Sequence, residues 1–251
     1  MFDHRHLAAA LESVSSVPAE PIAPGAGSDG YVLPGSRHGG YRDPRRRMLD
    51  ALIETVARRG YERTTIDRVL ALAEVPAAVF EEYFEDKQDC LLQALDELVE
   101  EFERAVLERL HSPAPWPERI RVGLETLLAA LARDPDYARV ALVECLSAGE
   151  PALARLRAAL GACVPILEHG RAYAASAEQG EARATSAEQL PQQTSEAVVG
   201  GIASIVHRHV LEERTAELPT LLGDLLYFAL MPYLGHRRAL IAAGLGTAEA
   251  L

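Results

Sequence analysis

Apolar residues recur at spacings of three and four along most of the chain from residue 43 onwards. This spacing places them on one face of an α-helix, whereas a half-buried β-strand shows strict alternation. The first such run consists of Met48, Leu49, Leu52, Ile53 and Val56. Since no segment shows the alternating β-branched pattern of a strand, the sequence predicts an all-α protein.

Capping residues predict where the first helices begin and end. Asp43 before Pro44 is a typical helix start, because Asp accepts from free N–H groups and Pro fits the first turn. Gly60 is a C-cap residue, and Thr64 with Asp67 resembles a capping box that opens the next helix. Further helices are predicted over residues 77–84, 86–110, 118–132, 135–147, 151–168, 194–213 and 218–234.

Two segments lack the helical pattern. Residues 13–40 hold four prolines and six glycines and have little to bury, so residues 1–42 are predicted to form a flexible arm. Residues 170–193 include a near-duplicated, low-complexity stretch interrupted by Gly180 and Pro191. This segment is predicted to be a mobile loop between two helices.

Composition narrows the class of protein. The chain has 251 residues, 49% of them hydrophobic, which is enough for one or two domains with a buried core. Its three separated cysteines cannot form a disulfide framework, and no run approaches the ~18 apolar residues of a membrane span. We therefore expect a cytoplasmic protein without a membrane partner.

Motifs for catalysis or metal binding are absent. The sequence contains no GxSxG, Walker A or HExxH motif. His207 and His209 lie two residues apart and would not share a helix face. No catalytic residue, metal ligand or cofactor is predicted.

The net charge of −12 argues against binding to nucleic acid, but the charge is unevenly distributed. Residues 37–68 hold nine basic and five acidic residues, a local charge of +4. Residues 69–103 hold eleven acidic residues against Lys87 alone, a local charge of −10. The Arg42–Arg47 cluster lies where it could reach a DNA backbone or minor groove.

Residues 48–92 combine an apolar helix, two short helices and the start of a long helix. The accompanying motifs, in order, are Arg-Gly-Tyr at 59–61, Thr-Thr-Ile at 64–66, Ala-x-Val at 73–75, Tyr-Phe at 83–84 and Asp-Lys at 86–87. This segment resembles the N-terminal DNA-binding module of the tetracycline-repressor (TetR) family. The resemblance implies a three-helix helix-turn-helix domain over residues 43–88. It also implies a helical effector-binding and dimerisation domain over residues 89–251.

The resemblance implies that the second short helix enters the major groove of a pseudo-palindromic operator in double-stranded DNA. Hydroxyls, helix N-termini and basic side chains are suitable phosphate contacts, and methyl groups or carboxylates can contact base edges. The candidate DNA-binding residues are Arg45, Arg46, Thr64, Thr65, Ala77, Ala78, Val79, Glu81, Tyr83 and Lys87.

The C-terminal helices are expected to enclose a pocket for a small apolar effector and to form a homodimer through a four-helix bundle. The candidate pocket residues are Leu124, Leu127, Leu128, Tyr137, Ala141, Glu144 and Phe228. The candidate dimer-interface residues are Val198, Gly201, Ile202, Ile205, Leu222, Leu225 and Leu226.

Two hypotheses follow. The first is a ligand-responsive, homodimeric repressor that binds DNA. The second is a dimer of the same fold that binds a small molecule or protein but has lost sequence-specific DNA binding. Glu74, Pro76 and Glu81 motivate the second hypothesis, because they replace the glycine, hydroxyl cap and phosphate-contacting tyrosine usual in the family.

Overall fold

The computed structural model describes residues 43–109, 114–177 and 190–246. All regular structure in these ranges is helical, which confirms the all-α prediction. The predicted N-terminal arm lies outside them. The α-helices are α1 (Pro44–Arg59), α2 (Ile66–Ala73), α3 (Ala77–Tyr83), α4 (Lys87–Arg109), α5 (Trp116–Arg133), α6 (Pro135–Leu142), α7 (Glu150–Ala177), α8 (Thr194–Leu211) and α9 (Leu222–Ala242). Two 3-10 turns cover Glu144–Leu146 and Thr215–Leu221.

The predicted limits of α1 are confirmed. The Asp43 carboxylate accepts from the Arg45 backbone N–H at 3.0 Å, and Gly60 ends the helix with a φ of 83°. The capping box at Thr64 was wrong. Thr65 is the N-cap of α2, and the buried Thr64 hydroxyl donates to the Gly60 carbonyl at 2.9 Å, which closes the turn between the helices.

The first hydrophobic core joins the N-terminal helices to the rest of the chain. Leu52, Val69 and Phe80 bring α1, α2 and α3 together, and Leu91 adds the start of α4. The same cluster continues into Val140 of α6. The small N-terminal module is therefore packed on α4 and α6 instead of standing alone, as its size requires.

The second core is built around Trp116, which is 2% exposed at the start of α5. Its indole N–H donates to the Ile166 carbonyl of α7 at 2.8 Å, and its ring lies edge-on to Tyr233 of α9 with centroids 5.2 Å apart. The Tyr233 hydroxyl lies 2.7 Å from the Ser195 hydroxyl of α8. This aromatic contact holds α5, α7, α8 and α9 together.

Helix α7 extends beyond its predicted end, so the predicted loop over 170–193 was wrong for residues 170–177. The helix continues because Gly170 and Ala174 are buried and Tyr173 packs on Trp116. Residues 178–189 lie outside the described ranges. Helix α6 is shorter than predicted, because a 3-10 turn over Glu144–Leu146 replaces its last turns.

One described segment, Thr215–Ala242, is long and apolar enough to cross a membrane by length and composition alone. Here it consists of a 3-10 turn followed by α9, and Gly235 interrupts the helical backbone with a φ of 74°. Its residues Leu226 and Leu230 are fully buried in the second core. One third of the apolar stretch, 33%, is buried inside the protein.

Gly170 should be required for packing around Trp116. A Cβ atom at this position would lie 2.5 Å from Trp116 Cζ2 and 2.8 Å from Tyr233 Cδ1. We expect Gly170→Ala to lower the free energy of unfolding by about 1–3 kcal/mol, because the rings cannot separate without disturbing the core. Urea unfolding followed by circular dichroism measures this change.

Gly161→Ala on the same helix is the matched control. A Cβ at Gly161 meets nothing within 4 Å, so the substitution should stabilise α7 by up to about 1 kcal/mol. Equal unfolding midpoints for the two variants would contradict the packing argument.

Candidate functional site

Helices α2 and α3 form a helix-turn-helix with an unusual residue in its turn. Glu74 ends α2 in the left-handed region, with φ 54° and ψ 46°, and Val75 N–H donates to the Leu70 carbonyl at 3.1 Å. This confirms that the turn needs a positive φ at Glu74. A non-glycine residue in this conformation costs roughly 1 kcal/mol.

The exposed face of α3 carries little hydrogen-bonding chemistry. Phe80 is buried and packs against Phe84 with ring centroids 5.2 Å apart, which fixes the helix on the module. Val79 is half-buried. The exposed side chains of α3 are Ala77, Ala78, Glu81, Glu82 and Tyr83. They offer two methyl groups, two carboxylates and one phenol to a partner.

Lys87 stabilises the turn that precedes α2. Its Nζ donates to the Tyr61 carbonyl at 2.9 Å and the Thr64 carbonyl at 3.0 Å, and lies 4.1 Å from the centre of the Tyr61 ring. Thr64 is only 2% exposed, whereas Thr65 is exposed. Of these candidate phosphate contacts, only the side chain of Thr65 is open to a ligand.

Arg45 and Arg46 contact polar side chains of α4. Arg45 forms an ion pair with Glu97 of α4 and donates to the Gln93 side chain at 2.9 Å. Arg46 donates to Glu97 at 2.9 Å, and its side chain is 15% exposed. Both arginines therefore join α1 to α4 through Glu97, and their contact with DNA stays a prediction.

Four exposed arginines of the module lie in the last turn of α1, in the turn that follows it and in α2. They were counted in the local charge of +4 but were not singled out as candidates. The predicted end of α1 at Gly60 could have indicated that these arginines are exposed. Side chains at a helix end and in the following turn are usually exposed. These residues are Arg58, Arg59, Arg63 and Arg68.

A large apolar cavity lies between α4, α5, α7 and α8. Its volume is about 260 Å³. An engineered cavity of about 150 Å³ binds benzene, so this one has room for a larger ligand. Three of the predicted pocket residues, Leu124, Leu127 and Ala141, lie on its wall.

The structure places the other four predicted pocket residues elsewhere. Leu128 is fully buried in the second core, and Phe228 is 38% exposed on the surface of α9. The Tyr137 hydroxyl donates to Asp50 of α1 at 3.4 Å. The Glu144 carboxylate accepts from the Tyr61 N–H at 3.2 Å. Tyr137 and Glu144 therefore join α6 and its following turn to the helix-turn-helix module.

Helix α7 supplies much of the cavity wall that the sequence analysis missed, including Leu156, Leu160, Cys163 and Ile166. Helical periodicity predicts that one face of α7 is buried. It does not show which residues of that face line a cavity. Burial raises the pKa of the Cys163 thiol to about 11, so this group is a neutral part of the wall at pH 7.

Most predicted dimer-interface residues lie inside the protomer. Val198, Ile202, Leu225 and Leu226 are buried in the second core, and Ile205 and Leu222 are half-buried against it. A Cβ at Gly201 would lie 2.9 Å from Phe228 Cε1, so this glycine allows a close contact within one chain. The exposed stripes of α8 and α9 instead carry Ala197, Gly200, Ser204, Phe228 and Met231.

Among the described residues, no group of three or more His, Cys, Asp or Glu side chains is placed to hold a metal ion. His209 is buried, with Nδ1 2.9 Å from the Ile205 carbonyl, whereas His207 is half-buried.

Solved structures share this arrangement of helices. The fatty acid degradation regulator FadR from Bacillus halodurans is 16% identical with a TM-score of 0.63, and the match covers 76% of this chain and 97% of that one. The transcriptional regulator FadR from Bacillus subtilis, solved in complex with stearoyl-CoA, is 20% identical with a TM-score of 0.61, covering 75% and 97%. A protein described as a TetR-family transcriptional regulator from Syntrophomonas wolfei is 16% identical with a TM-score of 0.56, covering 82% and 97%.

These similarities show that the chain has the fold of TetR-family regulators. No protein-family model matches the sequence, and no curated protein matches it significantly.

Proposed function

We propose that this protein is a cytoplasmic transcriptional regulator, a homodimeric repressor whose DNA binding is relieved by an apolar small molecule. The observation that carries the proposal is the combination, in one chain of TetR fold, of a helix-turn-helix with an exposed second helix and a large apolar cavity. We assign it no catalytic role.

The surface that we propose to contact DNA consists of the exposed side of α3 together with Thr65. Ala77 and Ala78 present methyl groups suited to the thymine methyl, and Glu81 can accept from cytosine N4. Tyr83 can donate to a phosphate. The exposed arginines of the α1–α2 turn would supply the positive charge that Arg45 and Arg46 do not.

The cavity is the proposed effector site. The Bacillus subtilis neighbour was solved with stearoyl-CoA, a ligand with a long apolar chain. A chain of this kind suits the cavity here, because Leu, Val, Ile, Phe and Ala residues form most of its wall.

Helix α6 gives the effector a short route to the DNA-binding module. Ala141 and Leu142 line the cavity, whereas Tyr137 and the following Glu144 hold α1 and the α1–α2 turn. Helix α6 could occupy two slightly different placements. An effector that binds the protein more tightly with α6 in one placement than in the other would shift the orientation of the module. In a dimer, this shift would change the spacing between the two recognition helices.

A second function is favoured by the chemistry of α3. Glu81 and Glu82 are exposed on the helix that should meet DNA, and a carboxylate near phosphate is repelled. The protein would then be a helical dimer that binds a small molecule or a protein without sequence-specific DNA binding.

A gel shift with the DNA flanking the protein's own gene separates the two functions. The repressor should bind this DNA in preference to unrelated DNA, and the affinity should fall steeply with salt. Tyr83→Phe should weaken binding about tenfold, because it removes one hydroxyl donor to a charged phosphate. Tyr227→Phe, on α9, is the matched control and should leave the affinity unchanged. A folded dimer that binds no DNA at low salt would support the second function instead.

Substitution at the exposed stripe of α9 tests the proposed dimer. Met231 is 38% exposed, and Met231→Lys should convert the dimer to a monomer, because a lysine pair across a two-fold axis is repulsive and hydrophilic. Sedimentation velocity measures the change. Leu146→Lys replaces a leucine that is 51% exposed, more than Met231, on the turn after α6 and should stay dimeric. An unchanged dimer in Met231→Lys would place the interface on another face.

Filling the cavity should separate effector response from DNA binding. Gly123 lines the cavity, and its Cβ would meet nothing within 4 Å. Gly123→Leu should keep operator affinity but lose release by stearoyl-CoA, since the side chain occupies the ligand's space and a leucine favours the helix. Gly161→Leu, an open position outside the cavity wall, is the control and should still be released. If stearoyl-CoA released Gly123→Leu from DNA at the same concentration as wild-type protein, the effector would bind at another site.

A further inference from the structure

The wall of the cavity is almost entirely hydrocarbon. The described residues that form it are Leu, Val, Ile, Phe, Ala, Gly and Cys, with three charged exceptions. No Ser, Thr, Asn, Gln, Tyr, His or Trp of the described ranges lines it. The wall therefore lacks the neutral hydroxyl and amide side chains that usually fix the orientation of a polar ligand in a pocket.

The three charged residues of the wall already have contacts within the chain. The Arg155 guanidinium donates twice to Asp96 of α4, from Nε to Oδ1 at 3.1 Å and from Nη2 to Oδ2 at 3.2 Å. This paired geometry is a strong one for an arginine and a carboxylate. The other two charged residues, Glu103 and Arg119, each interact with another part of the chain as well. A ligand that bound any of these charges would therefore compete with an existing contact.

The Cys163 thiol, also on the wall, is used within its own helix. Its Sγ donates to the Ala159 carbonyl of α7 at 3.6 Å. Because the raised pKa of this thiol keeps it neutral at pH 7, it adds no charge to the wall. A ligand group that needs hydrogen bonds would meet no free side-chain partner of the described residues, and burying such a group unpaired is costly.

The volume of the cavity limits the length of the chain that it can hold. An engineered cavity of about 150 Å³ binds benzene, a ring of six carbons. In the same proportion, the cavity of about 260 Å³ has room for about ten carbon atoms. The remaining carbons of a longer chain would stay outside, where they gain no burial against the apolar wall.

We propose that the ligand of this cavity is an uncharged hydrocarbon chain of about ten carbons, such as a medium-chain alcohol or alkane. The inference rests on the proposed role of the cavity as an effector site and adds the charge and length of the ligand. The chain is recognised by its length, because the polar side chains of the wall are already engaged. An acyl-CoA would leave its charged head and the rest of its chain outside the cavity.

Titration calorimetry with hexanol, octanol, decanol and dodecanol measures the dependence of affinity on chain length. The affinity should rise about fourfold for each added methylene up to decanol, which is the fold change that burial of one CH₂ group predicts. Dodecanol should bind within about twofold of decanol, whereas a longer cavity would give an increase of about fifteenfold. A steady rise through dodecanol, or an affinity that does not depend on length, would overturn the proposed limit.

Decanoate, measured at about pH 8, tests the effect of charge at equal chain length. Its carboxylate is ionised at this pH, and burying an ionised group without a partner is costly. Decanol should therefore bind at least about tenfold more tightly than decanoate. Equal or tighter binding of decanoate would show that a charged residue of the wall accepts the carboxylate, and would overturn the assignment of an uncharged ligand.

Gly123→Leu should shorten the preferred chain, because the four carbons of the leucine side chain would occupy the cavity. The longest alcohol that still gains affinity should fall from about ten carbons to about six, so octanol and decanol should bind within about twofold of hexanol. Gly161→Leu, outside the cavity wall, is the matched control and should keep the limit near ten carbons. Circular dichroism establishes that both variants are folded. An unchanged limit in folded Gly123→Leu would overturn the assignment of this cavity.

Release of the protein from DNA distinguishes this inference from the proposed function. Alcohols that bind with the expected length limit but do not release the DNA would uphold the ligand assignment and overturn the role of the cavity as an effector site. If stearoyl-CoA releases the DNA but none of the alcohols binds, the ligand assignment is overturned and the effector role stands. Failure of both measurements would overturn both.

Discussion

The guanidinium of Arg46 contacts α1, α4 and α6 at once. It lies 3.2 Å from Asp50 of its own helix, 2.9 Å from Glu97 of α4 and 3.5 Å from the Tyr137 hydroxyl of α6. Burial raises the pKa of Tyr137, so its phenol stays protonated and donates to Asp50. Breaking a partly buried pair of this kind costs less than the about 3–5 kcal/mol of a fully buried one, but it leaves the remaining charge with less compensation. The orientation of the helix-turn-helix module on the rest of the chain therefore depends on this network.

The same network explains the uneven charge of the sequence. The basic segment before residue 69 and the acidic segment after it bind each other, since Arg45 and Arg46 pair with Glu97. Part of the local charge of +4 is consequently neutralised inside the protein. Other arginines of this segment are exposed near the α1–α2 turn, at the opposite end of α1 from the cluster that the sequence favoured. A local charge count therefore does not show which basic residues of a segment are exposed.

Local signals predicted the helices well. The cap at Asp43, the glycine at Gly60 and the positive φ at Glu74 each depend on neighbouring backbone groups, which the sequence specifies directly. The cavity and the exposed stripes were harder to predict, because they depend on which helix packs against which. Tyr137 and Ala141 lie one turn apart on α6, yet one contacts α1 and the other the cavity. Periodicity alone does not separate two buried directions on the same helix.

This division of α6 also limits how an effector can act. A ligand shifts an equilibrium only by the difference in its affinity for the two states. The contacts that α6 and its following turn make with the module include partly enclosed hydrogen bonds, each with a directional geometry. Apolar contacts at Ala141 and Leu142 tolerate small displacements, but the directional contacts at Tyr137 and Glu144 do not. A small movement of the cavity wall would therefore be resisted mainly at the module, which is where the proposed change in DNA binding would originate.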